Sequence, residues 1–422
     1  MIVKPDSKSM KILIVNLHSA LNLGDDAIMH ATLAGLRNAF PGAQIIAAAN
    51  HPQSWEKFAD LEVVGSFVTW AYRLQDSRWR GQRWLIPLIL LGLPLIALTY
   101  RVLGLQILAG NEQKRRLLSA YYSADLVLSC GGGNFYAHKR LSSFLLLALS
   151  ALVFPTWLGK RTIMLPQSVG PIDGGLQRWL ARYVFNRVDL LLLREERSVK
   201  FVQDVLHVRS PLSQLPDLAF GLVCNAGPDP DPGPEALRIG INVIDRAAQQ
   251  ADFAGQQQYE SSLIELCARL AADNAIDLTI FCQVYGPTLD QDDLRAARRL
   301  HAALCERNIA VTLQANFTDA RETIAAYAHL DLMIGSRMHA GIFALLCGVP
   351  TLLIAYQPKA LGMMTALGLA PHCLDIDMVN PDALINGANS LLQQRTAIRE
   401  AARMGVMETR QQLQGWEKLL RN

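Results

Sequence analysis

The chain has 422 residues, about two to three times an ordinary single domain, so two domains are expected. Hydrophobic residues make up 51% and charged residues 18%, which excludes a disordered or fibrous chain and supplies apolar matter for two cores. Lysine and arginine number 40 against 37 acids, and the resulting +3 is too weakly basic to argue for nucleic acid, while an anionic small molecule or a membrane surface fits it. The seven cysteines (Cys130, Cys224, Cys267, Cys282, Cys305, Cys347, Cys373) are scattered and never spaced Cys-x-x-Cys. No disulfide framework and no zinc site is expected from them, and a reducing, cytoplasmic setting is. The segment MIVKPDSKSMKILIVNLH has no long apolar core before a cleavage-like site, so its apolar part reads as a first strand and not as a signal peptide.

In chain order, KILIVNL is that strand, HSALNLGDDA a loop and AIMHATLAGLRNAF a helix; AQIIAAA follows as a strand. The pattern recurs: ADLVLSC is a strand ending in Gly131, Gly132 and Gly133, the apolar stretch 144–158 a crossover helix, RTIMLPQS a strand, LQRWLARYVFNR a helix, DLLLLR a strand and EERSVKFVQDVL a helix. CNAGPDPDPGPEA, dense in Pro, Gly and Asp, is the best linker. Alternation then restarts with LRIGINV, a helix near 258–273, IDLTIFCQV, a helix near 290–306, IAVTL, a helix near 319–328, LDLMIGS, the helical RMHAGIFALLCGV and the strand PTLLIAY; the segment from Thr396 on is helical with no strand after it. Such alternation predicts α/β architecture with parallel sheets covered on both faces. The expected division is an N-terminal Rossmann-like domain over 1–224, a linker over 225–236 and a C-terminal Rossmann-like domain over 237–422 ending in a helix. Two such halves facing across a cleft resemble the GT-B architecture, which fixes no reaction.

One segment breaks the alternation. LIPLILLGLPLIALTY, from Leu85 to Tyr100, carries no charge, with RWRGQRW before it and Arg101, Lys114, Arg115 and Arg116 after. Sixteen helical residues reach about 24 Å, short of the roughly 30 Å hydrocarbon core, and two prolines interrupt them, so spanning is not expected. Two readings stay open: an apolar wedge lying on an anionic membrane, and a buried helical hairpin of the N-terminal domain. The clustering of Trp79, Trp84 and the arginines at one edge favours the wedge, giving peripheral membrane contact through 79–108.

In open parallel sheets, ligands bind beyond the carboxyl ends of strands, where helix N-termini offer unpaired N–H groups. The loop bearing Asn22, Gly24 and Asp25 and the loop Gly131–Gly132–Gly133–Asn134 occupy such positions, although tight turns demanded by packing would leave the same pattern. Neither matches the dinucleotide or Walker pattern, so NAD and ATP have little support. Arg194 closes one strand and opens a helix, where it could fork onto a carboxylate or phosphate or merely pair with Glu195 or Glu196. The strongest signal is LDLMIGS followed at once by Arg337 and His339, at the mouth of an apolar helix. A helix N-terminus attracts anions, and a histidine there that holds its proton only beside an anionic substrate suits a general acid. Lys359, after the next strand, adds a third cation on the same sheet edge.

Together NLGDDAI, the GGGN loop, LPQSVGPI, the REERS block, LPDLAFGL, IGINV and SRMHAGIFALLCGVPTLLIAY with its following lysine resemble, in order from about Lys11 to Leu369, the polysaccharide pyruvyl transferase family. The resemblance implies a GT-B fold and a phosphoenolpyruvate donor, with no cofactor and no metal, that installs a pyruvate ketal on glycan hydroxyls. It carries a functional arginine onto Arg194 and a functional histidine onto His339, with Arg337 and Lys359 as anion partners; Asp25, in the first loop, is a candidate base for the sugar hydroxyl, with capping of its helix the role favoured over it. The implied acceptor is a cell-surface polysaccharide or its lipid-linked oligosaccharide precursor, and the implied location is cytoplasmic, peripheral to the inner face of the membrane. The tri-glycine loop continues as NFYAHKR, and this departure and the apolar insertion fall in the half assigned to the acceptor, whose identity stays open. Two rival readings share the fold: a GT-B glycosyltransferase using a nucleotide sugar, and a non-catalytic subunit of a polysaccharide assembly complex.

Overall fold

The computed structural model describes residues 9–75, 78–81, 84–108, 110–138, 141–225, 236–250 and 253–421. Two compact units emerge, one of Met1–Ala20, Ala31–Asp217 and Gly415–Asn422, the other of Leu21–His30 and Leu218–Gln414. The division therefore falls at Asp217 and not at the Pro/Gly/Asp run, most of which (226–235) lies outside the described residues. Two short segments also change sides relative to a simple N- and C-terminal split. Residues 21–30, the loop and first turns of an N-terminal helix, belong to the second unit, and the final eight residues return to the first.

The first unit holds β1 (Lys11–Leu17), α1 (Leu23–Ala39, shared with the second unit), β2 (Gln44–Ala49), β3 (Glu62–Gly65), α2 (Val68–Ala71), the antiparallel pair β4 (Tyr72–Gln75) and β5 (Arg78–Gly81), α3 (Leu85–Leu103) and α4 (Glu112–Ser123). It continues with β6 (Leu126–Ser129), β7 (Gly132–Ala137), α5 (Ser143–Trp157), β8 (Arg161–Ile172), α6 (Gly175–Phe185), β9 (Leu190–Leu193), α7 (Glu196–Lys200) and β10 (Leu212–Gln214). Its sheet runs β10-β9-β8-β6-β1-β2-β3, all parallel, with β7 laid on β8. Continuous Val, Ile and Leu runs such as LVLS and LLLL are what a strand covered on both faces requires. The short strands β3 and β10 carry too few residues to announce themselves by alternation, and β7 opens on two glycines that read as a loop. Residues after the tri-glycine thus pair with β8 before α5 begins, where the sequence suggested only a loop.

α5 is the crossover helix expected at 144–158. Ser142 caps it by accepting from the Leu145 amide at 3.4 Å, and the eleven residues Leu145 to Pro155 are all buried. A helix apolar all round must be covered all round, and here the sheet, α3, α4 and α6 cover it. Its Phe154 meets Phe67 and Tyr121 edge-on, at centroid distances of 5.9 and 5.0 Å, while Phe67 and Tyr121 stack at 5.5 Å.

α3 is one continuous helix, so the prolines do not fold 85–100 into a hairpin. Ile86, Ile89, Leu93 and Ala97 join the core over α4 and α5. The opposite side is exposed, against the buried-hairpin reading. The side chain of Trp79, grouped with this segment in the sequence, lies outside the described residues.

The second unit contains β11 (Leu237–Asn242), α8 (Arg246–Gln249), α9 (Gln256–Asp273), β12 (Ile276–Phe281), α10 (Leu294–Glu306), β13 (Val311–Gln314), α11 (Ala320–Tyr327), β14 (Leu332–Gly335), α12 (Met338–Leu346), β15 (Thr351–Ala355), α13 (Pro358–Ala366), β16 (Cys373–Asp375), α14 (Pro381–Gln393) and α15 (Arg395–Leu413). Its parallel sheet runs β13-β12-β11-β14-β15-β16, over a core that includes Ile239, Ile241, Ile280, Ile334 and Leu352. Cys224 and Cys347 form a disulfide, their Cα atoms 5.4 Å apart, which corrects the expectation drawn from scattered cysteines. They stand 123 residues apart in sequence, and only the folded position of the α12 end brings them within bonding range.

Phe154→Ala should cost about 3–5 kcal/mol of stability, because it removes the ring that meets both Phe67 and Tyr121 in a buried aromatic cluster. Urea unfolding followed by circular dichroism checks this.

Candidate active site

Within the second unit, the first loop and the segment after β14 meet. Asn22 caps α1: its Oδ1 accepts from the Gly24 amide at 3.0 Å, and its Nδ2 donates to Asp25 Oδ2 at 3.1 Å. Capping is thus the work of Asn22, while Asp25 stands in the first turn. The loop is fixed by an antiparallel bridge to the chain beyond β12, in which Leu23 N donates to Gln283 O at 3.1 Å and Tyr285 N to Leu21 O at 2.8 Å. Gly24 faces the imidazole of His339 so closely that a Cβ on it would lie 2.1 Å from Nδ1 and 2.4 Å from Cγ. The glycine is required because the ring occupies the place of a side chain, and the atoms in the way belong to the ring base, which cannot swing aside freely.

Arg337 is the residue before α12. Its backbone N–H donates to Asn242 Oδ1 at 2.9 Å, and its guanidinium reaches Asp293 Oδ1 with Nε at 3.1 Å and Nη2 at 2.6 Å. Nη1 donates to the Tyr356 hydroxyl at 3.2 Å, and Nη2 also to Gln291 O at 3.3 Å. Asp293 is fully buried, and its Oδ2 accepts from the amides of Gln283 and Val284 at 3.2 and 3.1 Å, in the same segment whose Gln283 and Tyr285 hold the Asn22 loop. Burial would by itself weaken the Arg337 charge, but Asp293 and Tyr356 raise its affinity for the proton far above the ordinary value. Burial pushes the Tyr356 phenol up, yet Arg337 and then Lys359 draw it below its usual value, a sign of positive potential beyond β15. Lys359 is the second residue of α13, so the three cationic or imidazole groups expected on this sheet edge, Arg337, His339 and Lys359, do share one unit. Asp293, Gln283 and Tyr356 were not foreseen; each follows a strand of this sheet or precedes a helix, and that position was their one signal.

A second polar cluster lies two residues further along α1. Asp26 Oδ2 accepts from the Ala320 amide at 2.8 Å, at the start of α11. Nε2 of His30 stands 3.6 Å from Asp26 Oδ2 and 3.3 Å from Asp319 Oδ2, and Arg321 grips Asp319 with Nε at 3.0 Å and Nη2 at 2.6 Å. Atoms of Asp26, His30 and Asp319 come within 4.8 Å of one another, a spacing that could hold a metal ion, although the Ala320 amide and Arg321 already engage these carboxylates. Burial acts to raise the Asp319 carboxyl, but hydrogen bonds from His30 and Arg321 hold it well below the ordinary range.

The remaining expected residues belong to the first unit. Arg194, just past β9, is buried, with a side chain 3% exposed. Its Nη1 bonds Asp217, Nε donates to Ser168 Oγ at 2.8 Å and lies 3.4 Å from Glu195 Oε2, and Nη2 has no hydrogen-bond partner among the described residues. The pair with Glu195 weighed from sequence is therefore present, but buried rather than on the surface, and a second partner, Asp217, joins it from the LPDLAFGL block. Near the glycines, Gln167 Nε2 donates to Cys130 O, the Asn134 amide reaches Gln167 Oε1 at 3.4 Å, and Asn134 Nδ2 donates to Asn16 O at 2.9 Å. Gly132 has φ +132°, which side-chain-bearing residues rarely adopt.

Parallel α/β sheets in two units, with basic and imidazole groups at the carboxyl ends of strands, define a GT-B-class protein. Solved structures agree on the fold: a putative UDP-N-acetylglucosamine 2-epimerase from Listeria monocytogenes (TM-score 0.55, 11% identity, 93% of this chain and 90% of that one) and the sucrose-phosphate synthase of Thermosynechococcus elongatus (TM-score 0.55, 11% identity, 97% and 99%). The chain belongs to the polysaccharide pyruvyl transferase family, whose model matches residues 22–358. It is also 23% identical, over 417 residues, to the amylovoran biosynthesis protein AmsJ of Erwinia amylovora, covering 95% of this chain and 96% of that protein. The matched range begins at Asn22 and ends at Pro358, so it includes both ends of the Gly24–His339 contact.

Arg194→Ala should lower stability by about 3–5 kcal/mol, because it removes the guanidinium from the buried Asp217 carboxylate; the urea midpoint reads this. The depressed Asp319 stabilises the fold in full above the unfolded aspartate value of about 4, and that stabilisation is lost progressively as pH falls from there toward its much lower folded value. Asp319→Asn should therefore melt below the wild type at pH 7, and the gap should narrow as the melts are repeated toward pH 3.

Proposed function

We propose that the protein transfers a pyruvyl group from phosphoenolpyruvate to two hydroxyls of a glycan, forming a cyclic ketal and releasing phosphate. The observation that carries this reading is the seat of His339: an imidazole at the N-terminus of α12, held against Gly24, in a unit whose β15 end has positive potential from Arg337 and Lys359. The donor bears a carboxylate and a phosphate, and helix N-termini together with cations are suited to both. Family membership and the likeness to a protein named for amylovoran biosynthesis support a polysaccharide, or a lipid-linked precursor of one, as acceptor.

In this reading His339 gives its proton to the methylene carbon of the donor, leaving an oxocarbenium-like C2. One sugar hydroxyl adds to C2 and loses its proton; the C2–O bond to phosphate then breaks, and a neighbouring hydroxyl closes the ketal. Charge on the departing phosphate is met by Lys359, and by Arg337 so far as Asp293 leaves its field unspent. Arg194, already balanced by Asp217, keeps Nη2 as its remaining donor. Asp25, in the first turn of α1, is the candidate base for a sugar hydroxyl.

His339→Ala should reduce phosphate release from phosphoenolpyruvate in the presence of acceptor by about a hundredfold or more, and Gly24→Ala, which displaces the ring, by about tenfold or more. Near wild-type release by both variants, in folded protein, would overturn the assignment; thermal stabilisation by nucleotide sugars but not by phosphoenolpyruvate would favour a glycosyltransferase instead.

A further inference from the structure

α3 is apolar on every side, with a mean hydropathy of 2.0 over its best window, yet the first unit covers only one of its faces. A helix apolar all round belongs in a core or in lipid. Ile86, Ile89, Leu93 and Ala97 form the covered stripe. Leu88, Leu91, Leu95, Leu98 and Val102 repeat at three- and four-residue steps on the other side, exposed by 57% at Leu88 and by 68% at Leu91 and Val102. The outer face offers no polar handle to a protein partner from Thr99, whose hydroxyl is turned back onto Leu95 O at 2.8 Å.

A second apolar point stands nearby on the same helical layer. α6 packs on α5, as α3 does; Ser142 N donates to Gln177 Oε1 at 2.9 Å, and Trp157 Nε1 to the Tyr183 hydroxyl at 3.2 Å. On its outer side α6 exposes Leu176 and Trp179, each by about 60%, along with the arginines Arg178 and Arg182, and it contains no acidic residue. At the far end of α3, Arg101 leans over Gly159, at the rim of a concavity of about 830 Å³ whose charged lining is Lys160, Arg161 and Arg187 against the one acid Asp189. Exposed Trp84 marks the other end of the helix.

We propose that α3 and α6 together form a docking face for an anionic lipid bilayer, with α3 lying in the interface plane. Charge complementarity selects this occupant: an uncharged stripe the length of α3, ringed by arginines and a lysine and capped by an indole, matches acyl chains beneath anionic headgroups. α3 lies on the membrane and does not cross it, because crossing would strip Ile86, Ile89, Leu93 and Ala97 from the core they complete. The face stands independently of the pyruvyl reading, and its test contains neither donor nor acceptor.

The full chain should co-sediment with vesicles of phosphatidylcholine containing about a third phosphatidylglycerol about tenfold better than with phosphatidylcholine alone. The double variant Leu91→Asp/Leu95→Asp should lose that binding by about tenfold or more, and Leu176→Ala/Trp179→Ala should weaken it severalfold, about threefold or more, with melting temperatures unchanged because all four side chains are exposed. Should the aspartates disturb folding, the milder Leu88→Ser/Leu95→Ser pair carries the same test. Absence of wild-type binding to the anionic vesicles, or full retention by the α3 variants, overturns the proposal. So does a wild-type dimer in sedimentation that the α3 variants dissolve without any vesicle binding, which would assign the face to a second copy. Full retention by the α6 variant overturns the two-helix surface.

Discussion

The ion pair between Arg337 and Asp293 is the constraint on which the second unit's polar architecture depends. A buried carboxylate persists only if its lone pairs are met, and Asp293 meets them with one guanidinium and the amides of Gln283 and Val284. Those amides lie in the segment whose other edge bridges to Leu21–Leu23, and that bridge sets the height of Gly24 beneath His339. A chain of short-range contacts thus runs from the residue before α12 back to the side chain one residue into it. Arg337 is in consequence first a structural group.

Arg194 repeats the same arrangement in the first unit. Each arginine follows a strand, precedes a helix, and is neutralised by an aspartate distant in sequence: Asp293 in one case, Asp217 in the other. Such pairing fixes guanidinium geometry at a cost in free charge.

Much of the fold was legible because parallel strands buried on both faces are written as unbroken apolar runs: KILIVNL is β1 to the residue, and LDLMIGS, PTLLIAY and DLLLLR each contain the strand read from them. β3, β10 and β16 escaped because three or four residues at a sheet edge carry no period. The assignment of 21–30 to the second unit also escaped, since it rests on hydrogen bonds to residues some 260 positions away. In the site, the pairing of strand ends with helix starts pointed to Arg337, His339, Lys359 and the Asn22–Asp25 loop, whereas the carboxylate that holds Arg337 was invisible: an aspartate at position 293 looks like any other helix-leading acid until its burial is known. The apolar run 85–100 showed that a greasy helix was present, but which side would stay uncovered depended on α4 and α5.

The bridge between Cys224 and Cys347 has a topological effect apart from any stability it confers. It closes the chain from the end of the LPDLAFGL block to the end of α12 into a covalent ring that encloses β11 to β14 and the Pro/Gly/Asp run. A protease that cuts once inside that ring opens the chain without parting it, so the nicked molecule would migrate as one species until a thiol reductant releases two.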